Sequence, residues 1–229
     1  ASRVQKNNIW LVSGQEDPSS IFGHIIGLNI AQLVRDTATY HYYDLVFEKL
    51  HLQPGAIVGF AHFSWNGCDL PRGFPWLVTT KEIDFVELLQ FSKVNTLDYY
   101  DYLNLGFRLT AAAGSDFPWG STIGEVRTLV YTGNNFNADT WFAGLKAGNT
   151  FVTNGPALFF EADGKLPGTE ITATKGTGIE LRVKAVSNAG IGNITRLAIY
   201  NNNGLVMETK NPLQSDSLSI SLFHVLAKS

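Results

Sequence analysis

The sequence predicts an α/β domain followed by a small antiparallel β-sandwich. Three observations predict it. Strand and helix patterns alternate up to Asn154, only strand and turn patterns follow Gly155-Pro156, and 229 residues leave room for two modest domains. The expected division is therefore an α/β domain over 1–154 and an Ig-like β-sandwich over 155–229.

In the first part, Asn8 to Ser13 is a short apolar run closed by Gly14 and predicts a buried strand. Phe22 to Leu28 predicts a second. Tyr42 to Leu50 carries Leu45, Val46 and Leu50 with charges between them, a helical pattern that stops at Gln53-Pro54-Gly55. Ala56 to Phe63 is continuously apolar, as expected of a parallel strand buried on both faces. Phe85 to Leu89 fits a strand or a helical turn. Tyr99 to Gly106 predicts a helix with a glycine at its end. Leu109 to Ala113 and Val126 to Tyr131 predict strands. Ala138 to Ala147 predicts an amphipathic helix that starts after Asn137 and ends at Gly148. Such alternation implies a parallel sheet or barrel.

In the second part, six segments alternate or are β-branched: Leu158 to Ala162, Glu170 to Ala173, Ile179 to Val186, Thr195 to Asn201, Leu205 to Thr209 and Leu218 to Leu222. Turns such as Asp163-Gly164, Lys175-Gly176 and Asn203-Gly204 separate them, and Asn-Gly between strands is a hairpin signal.

Composition narrows the function classes. A net charge of −3 and a pI near 5.9 give no basic surface for nucleic acid or an anionic membrane. No run of about 18 apolar residues predicts a membrane span. The single cysteine, Cys68, excludes an intrachain disulfide and a cysteine-based zinc site. Low charge, abundant Asn, Thr and Gly, and a β-rich tail lean towards export from a bacterium.

Five residues stand out: Glu16, His24, His62, Asp116 and Arg127. Glu16, His62 and Asp116 each follow a predicted strand, and in parallel architectures those ends converge on the ligand-binding rim. Mixed His and carboxylate donors suit Zn, Mn or Fe. Bland readings stand beside each. A lone strand-end histidine is commonly structural, Gly-Ser-Asp is common in turns, and Glu16 fits a solvated loop. His41, His51 and His224 read as surface or packing residues. Glu87, a charge inside Phe-Val-Glu-Leu-Leu, fits either a strand position facing the site or an exposed helix position. Leu77-Val78 and Ile83 to Phe85 fit core packing better than a substrate pocket.

The order Gly14-Gln15-Glu16, Gly23-His24, Gly59-Phe60-Ala61-His62, Gly106-Phe107-Arg108-Leu109 and Ala113-Gly114-Ser115-Asp116 resembles the PHP-type metal-dependent phosphoesterases. It looks most like their CehA/McbA-type branch. Gly124-Glu125-Val126-Arg127-Thr128, the Thr150-Phe151-Val152-Thr153-Asn154-Gly155-Pro156 run and Asp163-Gly164-Lys165 resemble that branch's crossing into its C-terminal β-domain. The resemblance runs along nearly the whole chain. It implies a distorted β/α barrel, present only in part, and a divalent metal held by Glu16, His24, His62 and Asp116. It also implies metal-activated water acting on a phosphoester or on a carboxylic or carbamate ester of a small molecule.

Two departures qualify it. The sequence has no His-x-His, and Asp116 is followed by Phe117-Pro118 where the family's set often ends in Asp-x-His. The expectation is an N-terminally incomplete hydrolase domain whose bare strand edges promote self-association. The alternative is a non-catalytic binding module on a degenerate scaffold. Tyr99, Tyr100 and Tyr102 are its candidate contacts, although helix packing is the better reading of those tyrosines.

Overall fold

The computed structural model describes residues 3–20, 22–63, 72–91, 93–94, 96–120, 122–202, 204–211 and 215–225. Cys68, and Asn203 of the expected Asn-Gly turn, lie outside the described residues. The chain forms two compact units, Ala1–Val152 and Thr153–Ser229.

The first unit opens with a hairpin, β1 (Arg3–Lys6) against β2 (Ile9–Val12). The expected buried strand is corrected here. Ile9 and Leu11 are 71 % and 72 % exposed, while Trp10 and Val12 pack on an apolar cluster. An apolar run buries only one face when a single layer covers it.

The central sheet is mixed. β3 (Gln15–Ser20) and β4 (Gly23–Leu28) form an antiparallel hairpin, and β4 pairs antiparallel with β5 (Ile57–Phe60). β6 (Phe85–Gln90) lies parallel between β5 and β8 (Thr110–Ala113), and the short β7 (Lys93–Val94) folds back on the end of β6. Among the described residues the sheet is open, not closed into a barrel. The outer strand β8 is nonetheless covered. The Thr128 hydroxyl, on β9 (Arg127–Val130), accepts from Ala113 N at 2.7 Å and donates to Ala113 O at 3.0 Å. The Thr150 hydroxyl, on β10 (Thr150–Thr153), donates to Ala111 O at 2.9 Å.

Helices cover both faces, which explains why all four residues of β5 are buried. Val58 and Phe60 meet α1 (Tyr43–His51), α2 (Phe74–Thr80) and α3 (Leu97–Asn104) in one aromatic-rich cluster. Ile57 and Phe85 meet α4 (Ala138–Ala147) on the other side. At α4 the Asn137 side chain accepts from Thr140 N, the Thr140 hydroxyl accepts from Asn137 N, and Gly148 closes the helix at φ 79°. α2 is a helix where only apolar stretches were expected. Gly59 has to be glycine, because a Cβ there would meet Phe85 O at 2.3 Å across the β5–β6 pair. Among the described residues no helix is long and apolar enough to cross a membrane.

The second unit holds two antiparallel sheets. β11 (Ala157–Ala162), β12 (Gly178–Val186) and β15 (Ser217–Val225) form one, and β13 (Arg196–Asn201) with β14 (Gly204–Lys210) forms the other. Val183, Ala185 and Ile220 of the first share an apolar cluster with Leu197 and Ile199 of the second. The expected strand over Glu170 to Ala173 is corrected to chain without regular secondary structure. No neighbouring strand accepts its hydrogen bonds among the described residues, and β propensity alone does not make a strand.

Candidate metal centre

The rim above the C-terminal ends of β5, β6 and β8 gathers the chemistry-bearing residues. β4 runs against β5, so its first residues reach the same rim. Ala61 N donates to His24 O at 3.0 Å, which fixes His24 beside the end of β5. In β3, Glu16 pairs with Ile26 and Ser19 with His24, with a bulge at Asp17-Pro18. Residues two apart in a strand share a face, so Glu16 and His24 lie on one side of the hairpin. Glu16 is thus the second residue of β3, not the end of the strand before it. His62 follows β5 in a left-handed conformation at φ 54°, and Asp116 follows β8 at φ 49°. Non-glycine residues held there store strain, which clusters at functional sites.

Glu16, His24 and His62 each offer one ligand atom, and these atoms lie within 4.8 Å of one another. Glu16 Oε1 is 2.9 Å from His24 Nδ1 and 3.3 Å from His62 Nε2, and the two ring nitrogens are 3.2 Å apart. A tetrahedral ion bonded at ~2.1 Å spaces its ligands ~3.4 Å apart, close to these separations. This is a candidate metal centre. Its two imidazoles and one carboxylate suit Zn, Mn or Fe.

Negative charge is concentrated around the three. Glu87 lies on β6 with its carboxyl wedged against Gly114, where a Cβ would meet Oε1 at 2.1 Å. Burial pushes this carboxyl up to about 7; His62 opposes the shift and Glu16 and Asp116 add to it. The His62 hydrogen bond, acting against burial, holds Glu16 down to about 2. Burial disfavours the charge on His62, but Glu16, Gln90 and Glu87 outweigh it and push the imidazole up to about 9. Burial, with Glu16, raises the Asp116 carboxyl, while both histidines oppose. Asp116 therefore lies in the field of the cluster but outside its set of converging ligand atoms.

The other singled-out residues lie elsewhere. Arg127 Nη1 donates to Gly124 O at 3.3 Å. His51 Nε2 bonds Asp84 Oδ2 at 2.9 Å, and His224 Nε2 meets Asn201 Nδ2 at 3.0 Å. The Tyr99 hydroxyl donates to Leu109 O, and Tyr102 packs edge-on to Phe74 at 4.8 Å, so both serve helix packing. Val78 and Ile83 line a cavity of about 770 Å³ with Lys81, Arg108, Leu109 and Lys146, at the opposite end of the sheet. Sequence reasoning missed Gln90, a buried amide whose Oε1 contacts His62 Nδ1.

No family model matches the chain, and no curated protein does. Among solved structures it aligns with a "two-domain protein containing predicted PHP-like metal-dependent phosphoesterase" from Bacteroides vulgatus, at 12 % identity and a TM-score of 0.44. The alignment covers 90 % of this chain and 63 % of that one, so this chain spans less than two thirds of that protein's length. A likeness at that level carries no argument, and the metal reading rests on the geometry of the cluster.

Proposed function

We propose that the first unit is a metal-dependent hydrolase of the PHP type, related to the CehA/McbA-type branch, and that the second is an accessory β-sandwich. The observation that carries this is the convergence of one Glu16 oxygen and two ring nitrogens, from His24 and His62, within 4.8 Å. In this reading those three residues hold a divalent ion, Zn, Mn or Fe, and Asp116 completes the site from the side. The chemistry such an ion supplies is activation of water near neutral pH and polarisation of a P=O or C=O bond. The protein's own groups set the surroundings. Glu87 holds a proton on its carboxyl that is given up near pH 7, and the Asp116 carboxyl lies in the field of the cluster. The substrate class is a small phosphoester or a carboxylic or carbamate ester.

Elemental analysis tests this directly. The parent is expected to carry about one ion per chain, and Glu16→Ala with His62→Ala to carry none. The loaded parent should then hydrolyse p-nitrophenyl phosphate or p-nitrophenyl acetate. A folded parent that takes up no metal from any of the three salts overturns the reading in favour of a non-catalytic binding module. Self-association belongs to the same proposal, through the outer edge of β3, with which no strand pairs among the described residues. A monomer in sedimentation velocity across the micromolar range would remove that part.

A further inference from the structure

We propose that Gln90 is a positioning residue that holds His62 with its proton on Nδ1 and its Nε2 turned to Glu16 and His24. Only its consequence for metal affinity rests on the function proposed above. Gln90 is the last residue of β6 and only 2 % exposed. Its Oε1 meets His62 Nδ1, and an amide oxygen can only accept, so Nδ1 carries the hydrogen. The nitrogen left over is Nε2, the atom 3.3 Å from Glu16 Oε1 and 3.2 Å from His24 Nδ1. In metal sites a hydrogen bond to the far ring nitrogen fixes both the tautomer and the ring orientation.

The other end of the amide is left unpaired. Gln90 Nε2 is buried with no acceptor at hydrogen-bond distance. An amide with an unsatisfied buried N–H is costly, and a methionine would fill the same space without that cost. The contact with His62 offsets it. His62 also needs the anchor. Its flanks are held by Ala61 N on His24 O and Phe63 N on Glu87 O, both at 3.0 Å, but its own backbone is left-handed.

Long-range ¹H–¹⁵N spectra of histidine-labelled, metal-free protein, with Zn²⁺ titrations alongside, test the proposal. The parent should show a solvent-protected Nδ1 proton on His62. Gln90→Met should lose it, and Gln90→Glu, which keeps an acceptor oxygen, should retain it. Zn²⁺ affinity should fall about 10–100-fold in Gln90→Met and be rescued in Gln90→Glu, with circular dichroism unchanged. A parent that binds Zn²⁺, but no better than Gln90→Met, overturns the role of Gln90 and leaves the metal reading intact. A protected Nδ1 proton lost in Gln90→Met, with no Zn²⁺ bound by any form, sinks the metal reading and leaves Gln90 in place. Should Gln90→Met fail to fold, the parent decides. An unprotected Nδ1, or neutral His62 protonated on Nε2 alone, overturns the proposal.

Discussion

The two ends of the central sheet each carry a histidine–carboxylate pair, and they differ in the carboxyls gathered around it. At the N-terminal end, Asp84 Oδ2 takes His51 Nε2 at 2.9 Å and Val58 N at 2.9 Å, and its Oδ1 lies 3.5 Å from Lys146 Nζ. One carboxylate thereby ties α1, β5 and α4 to the start of β6. At the C-terminal end, Glu16 meets two histidines and stands near two further carboxyls, Glu87 and Asp116. Two left-handed residues and a buried amide nitrogen without an acceptor lie beside them. A histidine–carboxylate contact alone therefore marks nothing. Further carboxyls within reach of the pair distinguish the C-terminal end and make it the candidate cation site.

The largest effect expected is at the N-terminal end. Asp84→Ala leaves Val58 N without an acceptor and His51 without its partner, and should cost about 2–4 kcal/mol in urea unfolding. Metal content should not change. A loss of bound metal in a folded Asp84→Ala would erase the contrast between the two ends.

Next in size is Glu87→Gln, which should stabilise the metal-free chain where Asp84→Ala destabilises it. The folded carboxyl is raised from 4.5 to about 7. Its contribution is thus fully present below pH 4.5 and lost as the pH rises through 7. Relative to the parent, the variant should gain about 1–3 kcal/mol at pH 8 and almost nothing at pH 4.5. The His62–Glu16 pair gives the same sign at higher pH. His62 is raised from 6.5 to about 9, so its contribution is intact below pH 6.5 and lost as the pH passes 9. Glu16 is 40 % exposed, which holds that part to about 1 kcal/mol. Unfolding in EDTA at pH 4.5, 8 and 9.5 separates the two. A Glu87→Gln gain independent of pH would mean that Glu87 is a packing residue.

The same contrast explains what the sequence could reveal. α4 was legible because Asn137 and Gly148 are local caps, and β5 because burial on both faces leaves an unbroken apolar run. α2 carried a signal that went unused: Phe74, Leu77 and Val78 lie at helical spacing, with Pro75 inside the first turn, where proline is tolerated. Gln90 carried no such signal. The β6–β8 ladder slips between Glu87 and Leu89, and the bulge breaks the alternation of faces, so Glu87 and Gln90 both reach His62 despite odd spacing. Glu16 and His24 come together through a second bulge, at Asp17-Pro18. Strand periodicity reads the fold, but bulges re-aim the site, and a bulge is a property of the ladder rather than of the run of residues.

The smallest effect expected is that of Lys146→Met. Its ammonium sits 3.5 Å from Asp84 Oδ1 and its side chain is 55 % exposed, so the attraction is largely screened and opposed by the entropy of a long side chain. The loss in urea unfolding should be below about 0.5 kcal/mol and should vanish in 0.5 M salt, roughly a 4 Å screening length. A cost above about 1.5 kcal/mol that persists in salt would show that Asp84 needs a cation as well as its two directional bonds. Both ends of the sheet would then depend on compensation of charge, and the carboxyls gathered at one of them would no longer set it apart.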